Sequence, residues 1–434
     1  MIRTRQIIPT ALATCLIASA CGAPSAPSAS GLSAGSELRA ETFCAVDGLD
    51  PALRHTYVMI DEKVLSKTET PADFVGLNGR IRDVVLTFAD PDRALSSGTS
   101  DYRERISIHI LPTDGSASYR VFSGCIPGLS PQELIDSRKQ GSAVNDFFTG
   151  GVQQQIRNDS EDFIAKLVGS LQNAARSAKG PASPQTGKVN EISAFQSIRA
   201  SGRVINSDLG VPRVVLVTDL SSTQLPEAEG RDKLREAAFA AGSDAALDFS
   251  RADVVVVQSN GGNENQREYI DAFLLAQHGK LVYWGNERVG ALPTAPSRIA
   301  RYVGTASYPN GEDTVQIRVA MDRSGRLVNS WLILRGRPDK SVPMTGSALC
   351  ETPQTCVIRS DEGGFSQFWS LSPGGEPEFH PDMPFSGLRD FEFTAGPDTL
   401  EGKLFDPSVD RIGPPGSEMD SIKLDARLQA DANF

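Results

Sequence analysis

The sequence predicts a doubly wound, mostly parallel α/β domain over residues 44–297, followed by a small antiparallel all-β domain, a barrel or sandwich, over 298–434. Three observations predict it. Fully apolar runs such as Val214-Val215-Leu216-Val217 and residues 254–257 alternate with amphipathic helical stretches. Strands without a polar face must be covered on both sides, as in α/β folds. An early pair of alternating runs, 105–111 and 118–123, flanks Pro112-Thr113-Asp114-Gly115 and reads as an antiparallel hairpin. After Arg298 the helical spacing disappears, and short alternating runs separated by glycine-containing turns replace it.

Each element has a local reason. Residues 56–60 are a short β-branched apolar run that ends at Asp61. Thr70-Pro71-Ala72-Asp73 opens a helix, with a hydroxyl at the N-cap, proline at the first helical position and a carboxylate at the third. Phe74, Leu77, Ile81, Val84, Val85 and Phe88 follow at helical spacing and face the sheet. A long helix is expected over about 143–178, with Phe163, Leu167 and Leu171 on one face, and another over 190–203 beyond a Pro/Ser/Gly loop at 180–187. Then come a strand at 214–217 ending in Thr218-Asp219, a helix at 233–248, a strand at 254–257, a helix at 264–278 and a last strand at 281–284. In the second domain the runs 314–321, 327–334, 355–359, 364–371, 388–395 and 399–406 read as strands. Its aromatic set, Trp331, Phe365, Phe368, Trp369, Phe379 and Phe385, is expected to fill the core, with a ligand-holding barrel as the alternative.

The chain is 434 residues long and 39% hydrophobic, enough for about two or three domains. Its first 20 residues read as an export signal. Arg3 and Arg5 precede a mostly apolar stretch at 7–17 that is too short to span a bilayer, and small residues close it. The run Leu16-Ile17-Ala18-Ser19-Ala20-Cys21 resembles the lipobox of bacterial lipoproteins, with alanine at residue 18 where leucine is usual. The resemblance implies lipidation of Cys21 and anchoring to the membrane through that lipid. Residues 21–43, rich in Ser, Ala, Pro and Gly, then read as a tether. Gly22 is not the carboxylate that resembles an inner-membrane retention signal, which favours the outer membrane, facing the periplasm.

Removing Arg3 and Arg5 leaves 41 basic against 54 acidic side chains, a charge that argues against nucleic acid and against docking on anionic lipid. Of six cysteines, Cys15 leaves with the signal and Cys21 is the lipid site. Four remain in an oxidising compartment, so two disulfides are expected. Cys350 and Cys356 form a local clip, which leaves Cys44 to pair with Cys125.

Strand, helix, two-strand hairpin and then helix–strand repeats over about residues 54–290 resemble the von Willebrand factor A domain. So do the strand endings Ile60-Asp61 and Val217-Thr218-Asp219. The resemblance implies a metal-ion-dependent adhesion site built on Asp-x-Ser-x-Ser after the first strand and an aspartate after the fourth. Here the first motif reads Asp61-Glu62-Lys63-Val64-Leu65, so Lys63 and Leu65 stand at the two serine positions; Asp219 matches the later aspartate. Mg²⁺ prefers hard oxygen ligands in octahedral array, so the expectation is a degenerate, metal-free site.

Ser259-Asn260-Gly261-Gly262-Asn263 offers a weaker anion-binding alternative at the same edge. No Gly-x-Ser-x-Gly, Walker loop, His-Glu-x-x-His or Gly-x-Gly-x-x-Gly dinucleotide fingerprint occurs, and His55, His109, His278 and His380 are scattered. The chain therefore reads as non-enzymatic and cofactor-free, a protein-binding or scaffolding component of a cell-envelope assembly. The alternatives are a small-ligand carrier or sensor using a cavity in the β domain and, more remotely, a hydrolase.

Overall fold

The computed structural model describes residue 44 and residues 52–68, 79–129, 151–178, 193–202, 204–205, 210–220, 225–245, 247–258, 263–286, 292–308, 311–352, 355–361, 369–371, 377–380, 388–405 and 421–428. Strands β1 (Arg54–Asp61), β2 (Arg105–Leu111), β3 (Tyr119–Cys125), β4 (Val211–Thr218), β5 (Ala252–Gln258) and β6 (Gly279–Asn286) form one sheet in the order β3-β2-β1-β4-β5-β6. All neighbours are parallel except β2–β3, which is the hairpin expected from the sequence.

Both faces are covered. Even positions of β1 and odd positions of β4 and β5 (Val58, Ile60, Val215, Val217, Val255, Val257) pack against two helices. These are α2 (Arg80–Ala89), through Val84, Val85 and Phe88, and α4 (Gly151–Ser177), through Phe163, Leu167 and Leu171. The opposite parity (Tyr57, Met59, Val214, Leu216, Val254, Val256) meets α5 (Ser193–Ala200), α6 (Arg231–Ala245) and α7 (Glu264–Leu275). At Gly242 a Cβ would lie 2.6 Å from the Phe273 carbonyl, so only glycine lets α6 and α7 approach this closely.

Two expectations are corrected. A helix runs from Glu62 to Thr68 (α1) directly after β1, where none was expected. A continuous helix from Thr70 to Phe88 does not form: α2 begins at Arg80 because Gly79 is extended (ψ 107°), and the Thr70 cap lies outside the described residues. A further short helix, α3 (Pro91–Ser96), starts where the Asp90 carboxylate accepts the N–H groups of Asp92 and Arg93, a local cap that the sequence reading passed over.

The second sheet holds β7 (Arg298–Tyr308), β8 (Gly311–Met321), β9 (Ser330–Leu334), β10 (Ser341–Met344), β11 (Gly346–Thr352), β12 (Thr355–Ser360), β15 (Asp390–Ala395), β16 (Thr399–Phe405) and β17 (Ser421–Leu428). Their order is β10-β9-β8-β7-β17-β16-β15-β12-β11, all antiparallel. A single residue, Thr345, links the two end strands β10 and β11, and Arg326 bridges Ser347 of β11. The sheet is thus a nearly closed barrel rather than a sandwich. β7, β10, β11 and β17 were not anticipated, although β17 alternates buried Ile422, Leu424 and Ala426 with exposed Lys423 and Asp425.

The barrel interior is filled by Ile317, Leu332, Leu334, Phe391, Phe393, Leu400 and Leu424. A separate hairpin, β13 (Trp369–Leu371) with β14 (Pro377–Phe379), is stapled to α6: the Phe239 ring stacks on Phe379 at 4.2 Å and meets Trp369 edge-on at 5.5 Å. Trp331 and Trp369 are buried as expected, whereas Phe365, Phe368 and Phe385 lie outside the described residues.

Cys44–Cys125 and Cys350–Cys356 are disulfide-bonded. The first closes 81 residues, for which loop entropy gives roughly 4 kcal/mol of stabilisation. The second clamps the β11–β12 hairpin between directly paired residues.

A buried ionic knot holds the amino ends of the central strands. The Glu104 carboxylate, fully enclosed, accepts from Arg54 Nε (3.2 Å) and Nη2 (3.1 Å), from Arg213 Nη2 (2.8 Å), from the Thr56 hydroxyl and from the Asp101 N–H (3.1 Å). Arg213 also donates to Thr56 Oγ1, the Thr99 carbonyl and Ser100 Oγ, and lies 4.8 Å over the Phe88 ring. Burial alone would push the Glu104 carboxyl up; the two guanidiniums offset this and hold it below the usual carboxylate range. Glu104→Gln removes the carboxylate that both buried guanidiniums contact directly, and a loss of about 3–5 kcal/mol is expected in urea unfolding.

His55 and His109 are held neutral. Burial draws His55 down to about 3 and His109 to about 4, and nearby arginines, Arg105 and Arg120 for His55 and Arg120 for His109, add to it. His55 stacks on Tyr57 at 3.9 Å and shares a 2.9 Å hydrogen bond with Ser107. Both folded values lie below the ordinary 6.5, so the unfolded chain takes up protons first as pH falls. The stability these groups contribute is complete above about pH 6.5 and declines as pH drops through 4 towards 3. Urea midpoints measured from pH 7 to pH 4 should fall more steeply for the unaltered chain than for His55→Gln/His109→Gln.

Candidate functional site

The carboxyl ends of the parallel strands carry a polar row. Asp61 ends β1, Thr218 ends β4, Gln258 ends β5 and Asn286 ends β6. Pairing brings Asp61 beside Thr218, Thr218 opposite Gln258 and Gln258 opposite Asn286. All four side chains leave the same face, the one covered by α7, with strands about 4.8 Å apart.

Asn286 joins the row only through a β-bulge. Between Val254 and Val255 the register to β6 skips a residue, so that Leu281 opposes Val254 but Tyr283 opposes Val255. The extra residue restores Trp284 and Asn286 to the parity of Val256 and Gln258; an unbulged β6 would turn both to the opposite face. Neither bulge nor row is legible from local periodicity.

The aspartate of the expected metal motif is closed by its own chain. Asp61 Oδ1 accepts the Lys63 N–H at 3.0 Å, and Oδ2 accepts the Thr218 hydroxyl at 3.2 Å. Burial pushes its carboxyl above the usual range, and the nearby Asp219 adds to this, while the two hydrogen bonds and Lys63 work against it. Leu65 does not stand at the crevice. It is fully buried on α1 and packs with Val64, Val85 and Phe88 in the core under the sheet. Asp219 is buried beside the row, and Leu220, next along, belongs to the core on the α7 side. Two carboxylates already engaged or enclosed, a lysine and an inward-facing leucine do not make a Mg²⁺ or Ca²⁺ ligand set.

The candidate anion loop at 259–262 lies outside the described residues, but its last member, Asn263, is accounted for. Asn263 and Gln266 form a reciprocal capping box at the start of α7, and Gln266 Nε2 donates to the Leu220 carbonyl at 3.0 Å. Cys21 also lies outside the described residues.

Two serine–histidine contacts were not anticipated, and neither is reachable. Ser107 and His55 are both enclosed in the sheet. Ser370 bonds His380 Nε2 at 2.7 Å but has no exposed surface, and Glu378 approaches that same nitrogen rather than the far one, so the described residues form no relay. A cavity of about 430 Å³ lies outside the barrel, between α3, α4 and the 127–129 turn, lined by Leu95, Tyr102, Ile156, Arg157, Glu161 and Ile164. A smaller one of about 220 Å³ adjoins it through Leu95 and Tyr102 and reaches Asp322 of the barrel.

No protein-family model matches the chain, and no curated protein matches it. Among solved structures, a von Willebrand factor type A protein from Catenulispora acidiphila is similar over 87% of this chain, at 10% identity and a TM-score of 0.29. The chain spans 66% of that protein, just under two thirds. A likeness at this level carries no argument, and the α/β fold rests on the strand order and the two helical layers themselves.

Melting in EDTA and in about 5 mM MgCl₂ or CaCl₂ is expected to give the same Tm, since a site held at 100-fold its Kd would add about 2.7 kcal/mol. Lys63→Ser should leave this unchanged. Leu65→Ser should cost about 2–5 kcal/mol of stability and create no metal site, because it empties core volume.

Proposed function

We propose that the chain is an exported, lipid-anchored, non-enzymatic protein-binding or scaffolding component of a cell-envelope assembly, built on a von Willebrand A-like domain whose metal site is degenerate. The observation that carries this reading is the self-closed Asp61 at the carboxyl edge of a doubly wound sheet. Ligands of open α/β sheets bind at that edge, and here the edge presents side-chain hydrogen-bonding groups in place of an open metal position. The four paired cysteines support an oxidising compartment. The lipobox-like run ending at Cys21 supports the anchor, and the absence of catalytic motifs in the sequence supports a binding role.

A small-ligand carrier is the second reading. The observation favouring it is the cavity of about 430 Å³ between α3 and α4, within the usual range for small-molecule sites; the barrel core is filled.

Cys21→Ser should move the protein from the membrane to the soluble fraction, since stable anchoring takes more than one acyl chain and the lipidated cysteine would supply them. Retention through salt and carbonate washes would place the anchor elsewhere. Affinity capture from detergent-solubilised envelope with the full chain is expected to enrich defined proteins, and Asp61→Ala/Asp219→Ala should lose them.

A further inference from the structure

The cavity of about 220 Å³ is walled by both domains: the 98–102 loop, the 294–297 segment and the barrel turn at 322–324. Ligand sites favour such junctions. Its buried carboxylate is already committed. Asp322 accepts the Ser324 N–H and hydroxyl and the Arg326 N–H on Oδ1, and the Thr294 hydroxyl on Oδ2. Two charged groups on facing walls are not. Asp101, half-buried, has one oxygen engaged by the Tyr102 N–H at 2.8 Å and no partner on the other among the described residues. Arg323, exposed at the mouth, has no partner among them either. Burial pushes the Asp101 carboxyl above its usual range and Arg323 works against this, yet the two form no ion pair. Tyr102 separates this chamber from the larger one. Its ring seats against Gly128 (φ 150°), where a Cβ would lie 2.7 Å from Cδ1, and the next residue, Arg103, is held at φ 61°. Beyond the ring, half-buried Leu95, Ile156 and Ile164 give the larger cavity an apolar wall.

We propose that the two adjoining cavities bind a free apolar α-amino acid: its ammonium meets the open oxygen of Asp101, its carboxylate meets Arg323, and its side chain passes Tyr102 and Leu95 into the larger chamber. This deepens the small-ligand reading and rests on it. An unpaired carboxylate and an unpaired guanidinium on facing walls of one chamber call for a ligand that carries both signs at one end. A lone amine would leave Arg323 unmatched, and a lone acid would bring a second negative charge beside Asp101. The zwitterion satisfies both with charge-assisted hydrogen bonds, and the planar fork of arginine suits a carboxylate. Arg323 sits on an exposed, flexible stem, so it can close on the carboxylate from the solvent side. The chamber has room for the backbone of one amino acid, and the apolar wall beyond Tyr102 selects the side chain.

The test is calorimetric titration of the full chain with leucine, glycine, 3-methylbutylamine and 4-methylpentanoate, the last two being leucine without its carboxylate or its ammonium. Leucine should bind about tenfold more tightly than the amine or the acid, the scale of one charge-assisted hydrogen bond, and several-fold more tightly than glycine. Asp101→Asn keeps the oxygen that accepts the Tyr102 N–H, and Arg323→Gln alters an exposed position, so both variants should fold. Each should weaken leucine about tenfold. Arg337→Gln removes the same charge from an exposed position elsewhere on the barrel and should leave leucine binding unchanged. No binding of leucine, equal binding of leucine with the amine and the acid, or binding that survives Asp101→Asn and Arg323→Gln would overturn the assignment. Mass spectrometry of small molecules released from the chain purified from its own envelope tests the carrier reading separately. A bound compound that is not an amino acid, with leucine unbound, overturns this ligand and leaves the carrier reading standing. If nothing is released and none of the four probes binds, both fail.

Discussion

The fold depends on one carboxylate. Glu104 sits just before β2 and gathers Arg54 and Thr56 from β1 and Arg213 from β4, so one buried charge sets the mutual position of three adjacent strands at their amino ends. Two guanidiniums share the Glu104 carboxylate, and the buried Asp253 lies within their electrostatic reach. The Thr99 carbonyl, Ser100 hydroxyl and Phe88 ring take up the remaining faces of Arg213, and this ties the 99–104 loop and α2 to the same point. An apolar plug would hold the strands as firmly; the directional bonds also fix their register, and register determines which side chains meet at the opposite end of the sheet.

The barrel is fastened to the same end. Arg318 of β8, without exposed surface, donates to the carbonyls of Arg251 and Asn329, and Asn329 donates to the Pro212 carbonyl next to Arg213. Val211, Ala320 and Val328 close a small apolar contact around these bonds. Arg251 and Asn329 both adopt positive φ (60° and 51°), which turns their carbonyls towards the guanidinium. Asparagine tolerates that conformation; arginine there is uncommon and is held by the contact it makes. With the β13–β14 hairpin stapled to α6, the barrel covers the amino ends of β4 and β5 and leaves the carboxyl edge to the polar row.

The division of labour follows. The Glu104 knot, the barrel and the Cys44–Cys125 bridge act on the amino side or on β3, which runs back to that side. The carboxyl side is held by the Asp61–Thr218 bond, the capping box of α7 and the Arg235–Glu268 ion pair between the first turns of α6 and α7. A sheet made rigid at one end can carry a group such as Gln258, unpaired among the described residues, at the other, because the stability lost there is offset elsewhere.

The sequence by itself determined the class of each half, the hairpin, the two faces of the parallel sheet and the pairing of four cysteines. These are local or arithmetical properties: period 2 against 3.6, turn residues between apolar runs, an even number of thiols. Tertiary structure alone decided the rest. Leu65 falls at a motif position, yet it faces the core because α1 starts directly at Glu62 and turns it inward. Glu104, Arg54 and Arg213 look like ordinary charged residues until strand pairing brings them together across 50 and 109 positions. The row Asp61–Thr218–Gln258–Asn286 exists only through register, and its last member only through a bulge that no local pattern marks. Periodicity reports whether a side chain is buried; which partners it meets there is set by contacts far apart in the chain, and no short window of sequence contains them.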